Sequence, residues 1–91
     1  MPAFTHRPEY RALIGALREA RLKAGLTQID VAEALKTTQT FVSKVERGER
    51  RIDVIEFADF CHAIGIDPGA LLHEVIGARP RARSRSRDPV S

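Results

Sequence analysis

The sequence lacks the features that mark secreted, membrane-spanning or disulfide-stabilised proteins. Its 91 residues include a single cysteine, Cys61, so a scaffold of internal disulfides is excluded. No apolar run approaches the roughly 20 residues that a membrane-spanning helix needs. The first residues do not show the charged-then-apolar order of a secretory signal peptide. We therefore expect one domain in the cytoplasm, with no membrane contact.

The residue patterns of metal sites and catalytic sites are also missing. His6, His62 and His73 have no metal-ligand spacing with Cys61 or with the acidic residues. No nucleophile–base pair, glycine-rich phosphate loop or pair of catalytic carboxylates stands out. Cys61 itself lies on an apolar stripe, which is typical of a small core residue. The sequence therefore predicts no metal, no cofactor and no enzymatic activity.

Apolar residues recur at helical spacing, whereas the strict alternation of a β-strand is absent. Thr27 with Asp30, and Asp53 with Glu56, form two capping-box pairs, each of which predicts a helix start. An apolar face of Ile29, Val31, Ala32 and Leu35 follows the first of these pairs. The pattern predicts an all-α, compact five-helix bundle. Its predicted helices cover 9–24, 28–35, 39–47, a stretch from Asp53 to Gly65, and a stretch from Pro68 to Gly77.

Charge is distributed unevenly along the chain, although the net charge is only +3. Residues 36–51 are basic, residues 52–78 contain five acids and no Lys or Arg, and residues 79–91 contain five Arg and one Asp. A polyanion should approach the basic middle or the tail and avoid the acidic flank. Segregated solvated faces would give the same pattern, so charge alone does not decide the function.

The ends of the chain are predicted to lie outside the folded domain. We expect a flexible arm over residues 1–7, the domain over residues 8–78, and a disordered basic C-terminal tail over residues 79–91. The tail alternates Arg with Ala, Ser or Pro, and Val90 is its only large apolar residue. Such a segment cannot bury enough apolar surface to offset the entropy lost on ordering.

Residues 25–48 hold two short predicted helices joined by Lys36, Thr37 and Thr38. Ala32 is small where the two helices pass close together, and Val42, ten residues later, fills the corner between them. The N-terminal half of the third helix is then left projecting, and a projecting helix fits the major groove of DNA.

This segment resembles the helix-turn-helix of the phage-repressor (Cro-like) family, also called the xenobiotic-response-element (XRE) family. The resemblance extends over residues 10–76 and implies a bundle of the lambda-repressor-like type. The matching residues are Gly25-Leu26-Thr27-Gln28, Val31-Ala32, Thr38-Gln39-Thr40, Val42-Ser43, Glu46-Arg47-Gly48, Gly65-Ile66-Asp67 and Leu71-Leu72.

The resemblance also implies a role for individual residues. Gln28 is expected to cap the second helix beside a phosphate, where the helix dipole favours an anion. A partly buried ion pair between Arg21 and Glu46 is expected to tie the first helix to the third. The expected base-reading residues are Gln39, Thr40, Ser43 and Lys44, and the expected phosphate contacts are Thr27, Gln28, Arg47, Arg50 and Arg51.

Two positions depart from the family pattern. Lys36 occupies a turn position that often holds glycine, so the turn must either differ or place a lysine in the left-handed conformation at some energetic cost. Phe41 is a bulky residue between the expected reading positions. It either touches a thymine methyl group or tucks against the protein, and we favour the second because most aromatic side chains are buried.

The resemblance implies a sequence-specific transcriptional regulator that binds double-stranded DNA. We expect a repressor that binds a palindromic operator as a homodimer, with residues 39–47 as the recognition helix in the major groove. A single module makes few base contacts, so useful affinity needs two copies. The expected dimer surface surrounds the fifth helix and consists of Leu71, Leu72, Val75 and Ile76.

Two other functions remain compatible with the sequence. One is a protein-interaction module on the same fold, either an antitoxin or an adaptor, although the tail is too polar to anchor a partner by burial. The other is RNA binding through the arginine-rich tail, since such segments can fold on RNA. The tail could equally add non-specific phosphate contacts to DNA binding.

Overall fold

The computed structural model describes residues 7–77, which form five α-helices and a closing π-helical turn. No strand occurs within this range, and the predicted all-α bundle is confirmed. The predicted tail, and the predicted arm apart from Arg7, lie outside the described residues. The helices are α1 (Pro8–Lys23), α2 (Gln28–Leu35), α3 (Gln39–Glu46), α4 (Val54–Ile64) and α5 (Pro68–Leu72), and the π-helical turn is His73–Gly77.

Side-chain caps fix where α2, α3, α4 and α5 begin. The Thr27 hydroxyl accepts from the Asp30 N–H at 3.0 Å, and the Asp30 carboxylate accepts from the Thr27 N–H at 2.8 Å. Asp53 and Glu56 form the same reciprocal pair at the start of α4. Both predicted capping boxes are therefore confirmed. Each cap of this kind is worth about 1 kcal/mol, because it satisfies a backbone donor that has no partner within its helix.

The core is a single apolar cluster to which all five α-helices contribute. Val31, Ala32, Val42 and Cys61 lie in it as the sequence predicts, and Leu35 packs against it half-buried, but Ile29 was wrongly predicted to face inward. Ile29 is 55% exposed, because it lies roughly 115° around α2 from the centre of the buried stripe. The buried residues are Ile14, Leu17, Val31, Ala32, Val42, Val45, Phe57, Phe60, Cys61, Ile64 and Leu71.

Cys61 is fully enclosed in this core. Burial disfavours the thiolate and raises the pKa of the Cys61 thiol to about 11, with a smaller contribution from the charge of Asp67. The side chain therefore serves as a small packing residue, as its position on the apolar stripe of α4 predicts.

The turn between α2 and α3 contains a residue in the left-handed conformation, although that residue is Lys36 and not glycine. Lys36 adopts the left-handed conformation, with φ 59° and ψ 44°, and is the only non-glycine residue with positive φ in the described range. Its conformation lets the Thr37 N–H return to the Ala32 carbonyl at 2.9 Å, which closes α2. The chain thus reaches α3 through a left-handed turn that favours glycine.

We predict that Lys36→Gly stabilises the domain by about 1 kcal/mol, because glycine adopts the left-handed conformation without the clash of a Cβ atom. The free energy of unfolding from urea denaturation measures the effect. Lys23→Gly is the matched control: Lys23 ends α1 in right-handed geometry, so this change should destabilise by up to about 1 kcal/mol. A loss of stability in Lys36→Gly would contradict the prediction.

Candidate nucleic-acid interface

Helix α3 presents one polar face to solvent and one apolar face to the core. Val42 and Val45 have no exposed surface, and they hold the helix against the bundle. The opposite side carries all four residues expected to read bases. Gln39, Thr40 and Lys44 are exposed and Ser43 is half-buried. Positions that are four residues apart lie on the same side of a helix, so the four form one continuous surface.

A buried ion pair fixes α3 relative to α1. Arg21 donates from Nε to Glu46 Oε2 at 2.7 Å and from Nη2 to Glu46 Oε1 at 2.9 Å. The Glu46 side chain is only 4% exposed, and its hydrogen bonds raise the pKa of Arg21. Nη1 of Arg21 also donates to the Leu26 carbonyl at 2.8 Å, so the same guanidinium holds the connection before α2. The pair expected between α1 and α3 is therefore present.

Two glutamines extend this pair to the surface. Gln28 Nε2 donates to Glu46 Oε1 at 3.0 Å, and Gln28 Oε1 accepts from Gln39 Nε2 at 2.8 Å. The expectation that Gln28 caps α2 is not met, because the cap is Thr27 and the Gln28 amide turns towards α3 instead. A row of hydrogen bonds thus runs from the buried carboxylate to the exposed Gln39.

Two of the arginines that follow α3, Arg47 and Arg50, are held by carboxylates of the same domain. Arg47 donates from Nε and Nη2 to the two carboxylate oxygens of Glu49 at 3.0 and 3.1 Å, and from Nη1 to Ser43 Oγ. Arg50 Nη2 donates to Glu56 Oε2 at 3.3 Å. Arg47, Arg50 and Arg51 are all exposed, as are Thr27 and the turn at Lys36.

Phe41 packs against the protein, which is the alternative favoured from sequence. Its ring lies 6.0 Å from the ring of Phe60, and the Arg50 guanidinium lies 5.0 Å from the centre of its outer face. A cation over an aromatic ring is attracted by its quadrupole, so Phe41 anchors Arg50 as well as filling space.

The expected dimer surface is smaller than the sequence predicts. Leu71 belongs to the core, so it is not available to a partner in this fold. Leu72 and Ile76 remain 37% and 41% exposed, and Val75 is half-buried. Larger exposed fractions occur at Val54 and Ile55, in the first turn of α4, which the sequence analysis did not single out.

The intramolecular partners of the arginines were also missed. Glu49 and Glu56 entered the sequence analysis only as negative charges within a segment. The two-residue spacing of Arg47 and Glu49 was visible, but the spacing does not tell whether two side chains of a connecting loop turn towards each other.

Residues 7–77 contain neither a group of metal-ligating side chains nor a membrane-crossing helix. No group of three or more His, Cys, Asp or Glu residues in this range is placed to hold a metal ion. No helix in it combines the length and apolar character needed to cross a membrane.

The sequence and the fold are similar to those of known helix-turn-helix proteins. Residues 17–71 match a family model described as helix-turn-helix. The structure is similar to an XRE-family like protein from Pseudomonas syringae pv. tomato str. DC3000, with 52% identity, a TM-score of 0.78, and coverage of 82% of this chain and 92% of that one. It is also similar to the clp gene regulator ClgR from Corynebacterium glutamicum, with 32% identity, a TM-score of 0.69, and coverage of 78% of this chain and 91% of that one. No curated protein matches the chain.

We predict that Glu46→Ala destabilises the domain by about 3 kcal/mol, because it leaves the buried Arg21 guanidinium without its carboxylate. Chemical denaturation measures the loss. The control is Glu19→Ala, which breaks an exposed contact with Arg18 at 3.7 Å and should change stability by less than about 1 kcal/mol. Equal effects of the two substitutions would show that burial of the pair does not govern its contribution.

Proposed function

The chain belongs to the XRE-type helix-turn-helix family of DNA-binding transcription regulators, and we propose that it is a sequence-specific repressor. It would bind a palindromic operator as a homodimer and place one α3 helix in the major groove of each half-site. The observation that carries this proposal is the exposed polar face of α3. A buried ion pair and a row of amide hydrogen bonds fix the position of this helix in the domain.

The amide of Gln39 is suited to adenine. Glu46 accepts from the Gln28 amide nitrogen, which leaves the Gln28 oxygen to accept from Gln39. One N–H and the carbonyl oxygen of Gln39 then remain for DNA. Adenine presents the complementary pair in the major groove, an acceptor at N7 and a donor at N6. We therefore assign Gln39 to an adenine in each half-site.

The other three residues of the exposed face would complete the base contacts. The Thr40 methyl group can meet a thymine methyl, Ser43 can reach a base edge, and Lys44 can donate to guanine or to a phosphate. All three follow Gln39 on the same side of α3 and lie on the side opposite the buried valines.

Residues flanking this face would bind the DNA backbone. Thr27 and Gln28 lie at the N-terminus of α2, where unpaired N–H groups and the helix dipole favour a phosphate. Arg47, Arg50 and Arg51 lie just beyond α3 and would hold phosphates without reading sequence. The acidic α4–α5 part of the domain would then face away from the DNA.

Dimerisation would use the exposed apolar side chains at the end of the domain. Leu72 and Ile76, with the half-buried Val75, lie on α5 and the π-helical turn. Residues 68–77, which carry these side chains, contain no Lys or Arg, so this segment is not expected to attract DNA. Pairing two modules supplies affinity that the few base contacts of one module cannot.

The groove assignment predicts that Gln39→Ala combined with Lys44→Ala abolishes sequence preference. Sites selected from random DNA by the native protein should contain paired half-sites about 10 base pairs apart or a multiple of that spacing. Affinity for the selected site, measured by gel shift at fixed salt, should fall at least ~30-fold in the double variant, since each good base contact is worth about 1–3 kcal/mol. Lys23 is an exposed lysine at the end of α1, and Lys23→Ala is the control that should leave the affinity for the selected site unchanged.

If operator affinity survives the double substitution, the assignment of α3 as the reading helix is wrong. Selected sites without repeated half-sites would leave α3 as the reading helix but contradict the homodimer.

The dimer assignment predicts that Leu72→Glu combined with Ile76→Glu makes the protein monomeric, because the two carboxylates would be buried without partners in the interface. Sedimentation equilibrium, with and without operator DNA, measures the association. Val54→Glu with Ile55→Glu introduces the same charges on α4 and serves as the control. Loss of the dimer only in the α4 variant would move the interface to the start of that helix.

A further inference from the structure

Arg47 makes three hydrogen bonds to other side chains of the domain. It meets Glu49 side-on through two hydrogen bonds of 3.0 and 3.1 Å, and its Nη1 group donates to Ser43 on the reading face of α3. Of the five N–H donors of a guanidinium, these contacts occupy three. One donor on each terminal nitrogen is left for an external anion.

The backbone places Glu49 beside Arg47. Gly48 has a φ of 79°, a left-handed conformation that ends α3 and turns the chain back along it. The N–H groups of Glu49 and Arg50 then both donate to the Lys44 carbonyl, at 2.8 and 3.2 Å. These two bonds fix the backbone at Glu49, and its carboxylate meets the Arg47 guanidinium at 3.0 Å. The cations of Arg47 and Lys44 both lower the pKa of Glu49, with Arg47 the larger influence.

Arg50 is restrained in the same manner. Its guanidinium lies over the Phe41 ring, 5.0 Å from the centre, and donates to Glu56 at 3.3 Å. A second intramolecular carboxylate thus engages the second of the arginines that follow α3.

We propose that Glu49 is an internal competitor of DNA phosphate that lowers the affinity of the domain for all duplex DNA. The proposal rests on the proposed function, in which Arg47 contacts a phosphate. A phosphate approaching Arg47 meets a guanidinium whose charge is already balanced, and it meets the negative charge of Glu49 next to it. Arg47 then contributes little to the release of counterions from DNA. Glu56, which accepts from Arg50, likewise reduces the attraction of Arg50 for a phosphate.

The expected size of the effect is modest because the pair is exposed. The side chains of Arg47 and Glu49 are 53% and 54% exposed, and exposed pairs of this kind are worth little in stability. Affinity should therefore change by about two- to fivefold. Salt dependence is the more specific readout, since each additional phosphate neutralised steepens the slope of log K against log salt by about 0.9.

The test compares the full chain with its Glu49→Gln variant on a random-sequence duplex and on a duplex chosen by site selection. We expect Glu49→Gln to raise affinity about two- to fivefold on both duplexes and to steepen the salt slope by about one. Glu19→Gln makes the same charge change on α1, where Glu19 contacts Arg18 at 3.7 Å, and should alter neither quantity. In an Arg47→Ala background, Glu49→Gln should have no effect.

Three results would overturn the proposal. Unchanged or weaker binding by Glu49→Gln would show that Glu49 does not compete with phosphate. An equal gain in the Arg47→Ala background, or in Glu19→Gln, would show a general charge effect that does not act through Arg47. Failure of the native chain to bind either duplex would contradict the proposed function itself, whereas the first two results leave DNA binding intact.

Discussion

A carboxylate on α3 lies against a guanidinium on α1, and both are almost fully withdrawn from water. Glu46 accepts from Arg21 through both oxygens and from Gln28 through one of them, while Arg21 also holds the Leu26 carbonyl. One pair of side chains therefore joins α1, α2, α3 and the connection between the first two helices. Removing Glu46 would leave the buried Arg21 guanidinium without a carboxylate, and removing Arg21 would leave Glu46 only the half-exposed Arg18 at 4.0 Å, so the pair constrains the geometry more than it adds net stability.

The same carboxylate determines the orientation of polar groups at the surface. Glu46 requires a donor from Gln28, which leaves the Gln28 oxygen free to accept from Gln39. The exposed amide of Gln39 is thus oriented before any ligand arrives. A side chain that is already oriented loses less conformational entropy on binding, and this lowers the cost of a specific contact.

Electrostatics around α3 are more balanced than the count of arginines suggests. Glu49 and Glu56 lie on Arg47 and Arg50, and the apolar ring of Phe41 supports the second of these arginines. The net positive charge of the chain also owes much to residues 79–91, while the segment from Ile52 to Gly77 is acidic. Attraction to a polyanion thus depends on where individual charges are paired and on which face of the domain they lie.

Much of the local structure could be predicted from sequence because it depends on neighbours in the chain. Capping pairs such as Thr27 with Asp30, and the helical spacing of residues such as Phe57 and Cys61, are local patterns. The likeness to a known family carried the longer-range Arg21–Glu46 contact, which no spacing rule provides. Ile29 was misplaced because an apolar residue was assigned to the buried face, although its angle on α2 places it well outside the buried stripe.

The sequence by itself determined the five helices, the position of the turn between α2 and α3, and the set of polar residues on α3, because each depends on residues within a few positions of one another. Only the tertiary structure decided that Gln28 turns to Gln39 rather than capping its helix, that Leu71 closes the core, and that carboxylates engage Arg47 and Arg50. The physical reason is that a side chain with several possible partners takes the one that folding brings within hydrogen-bond distance and shields from water.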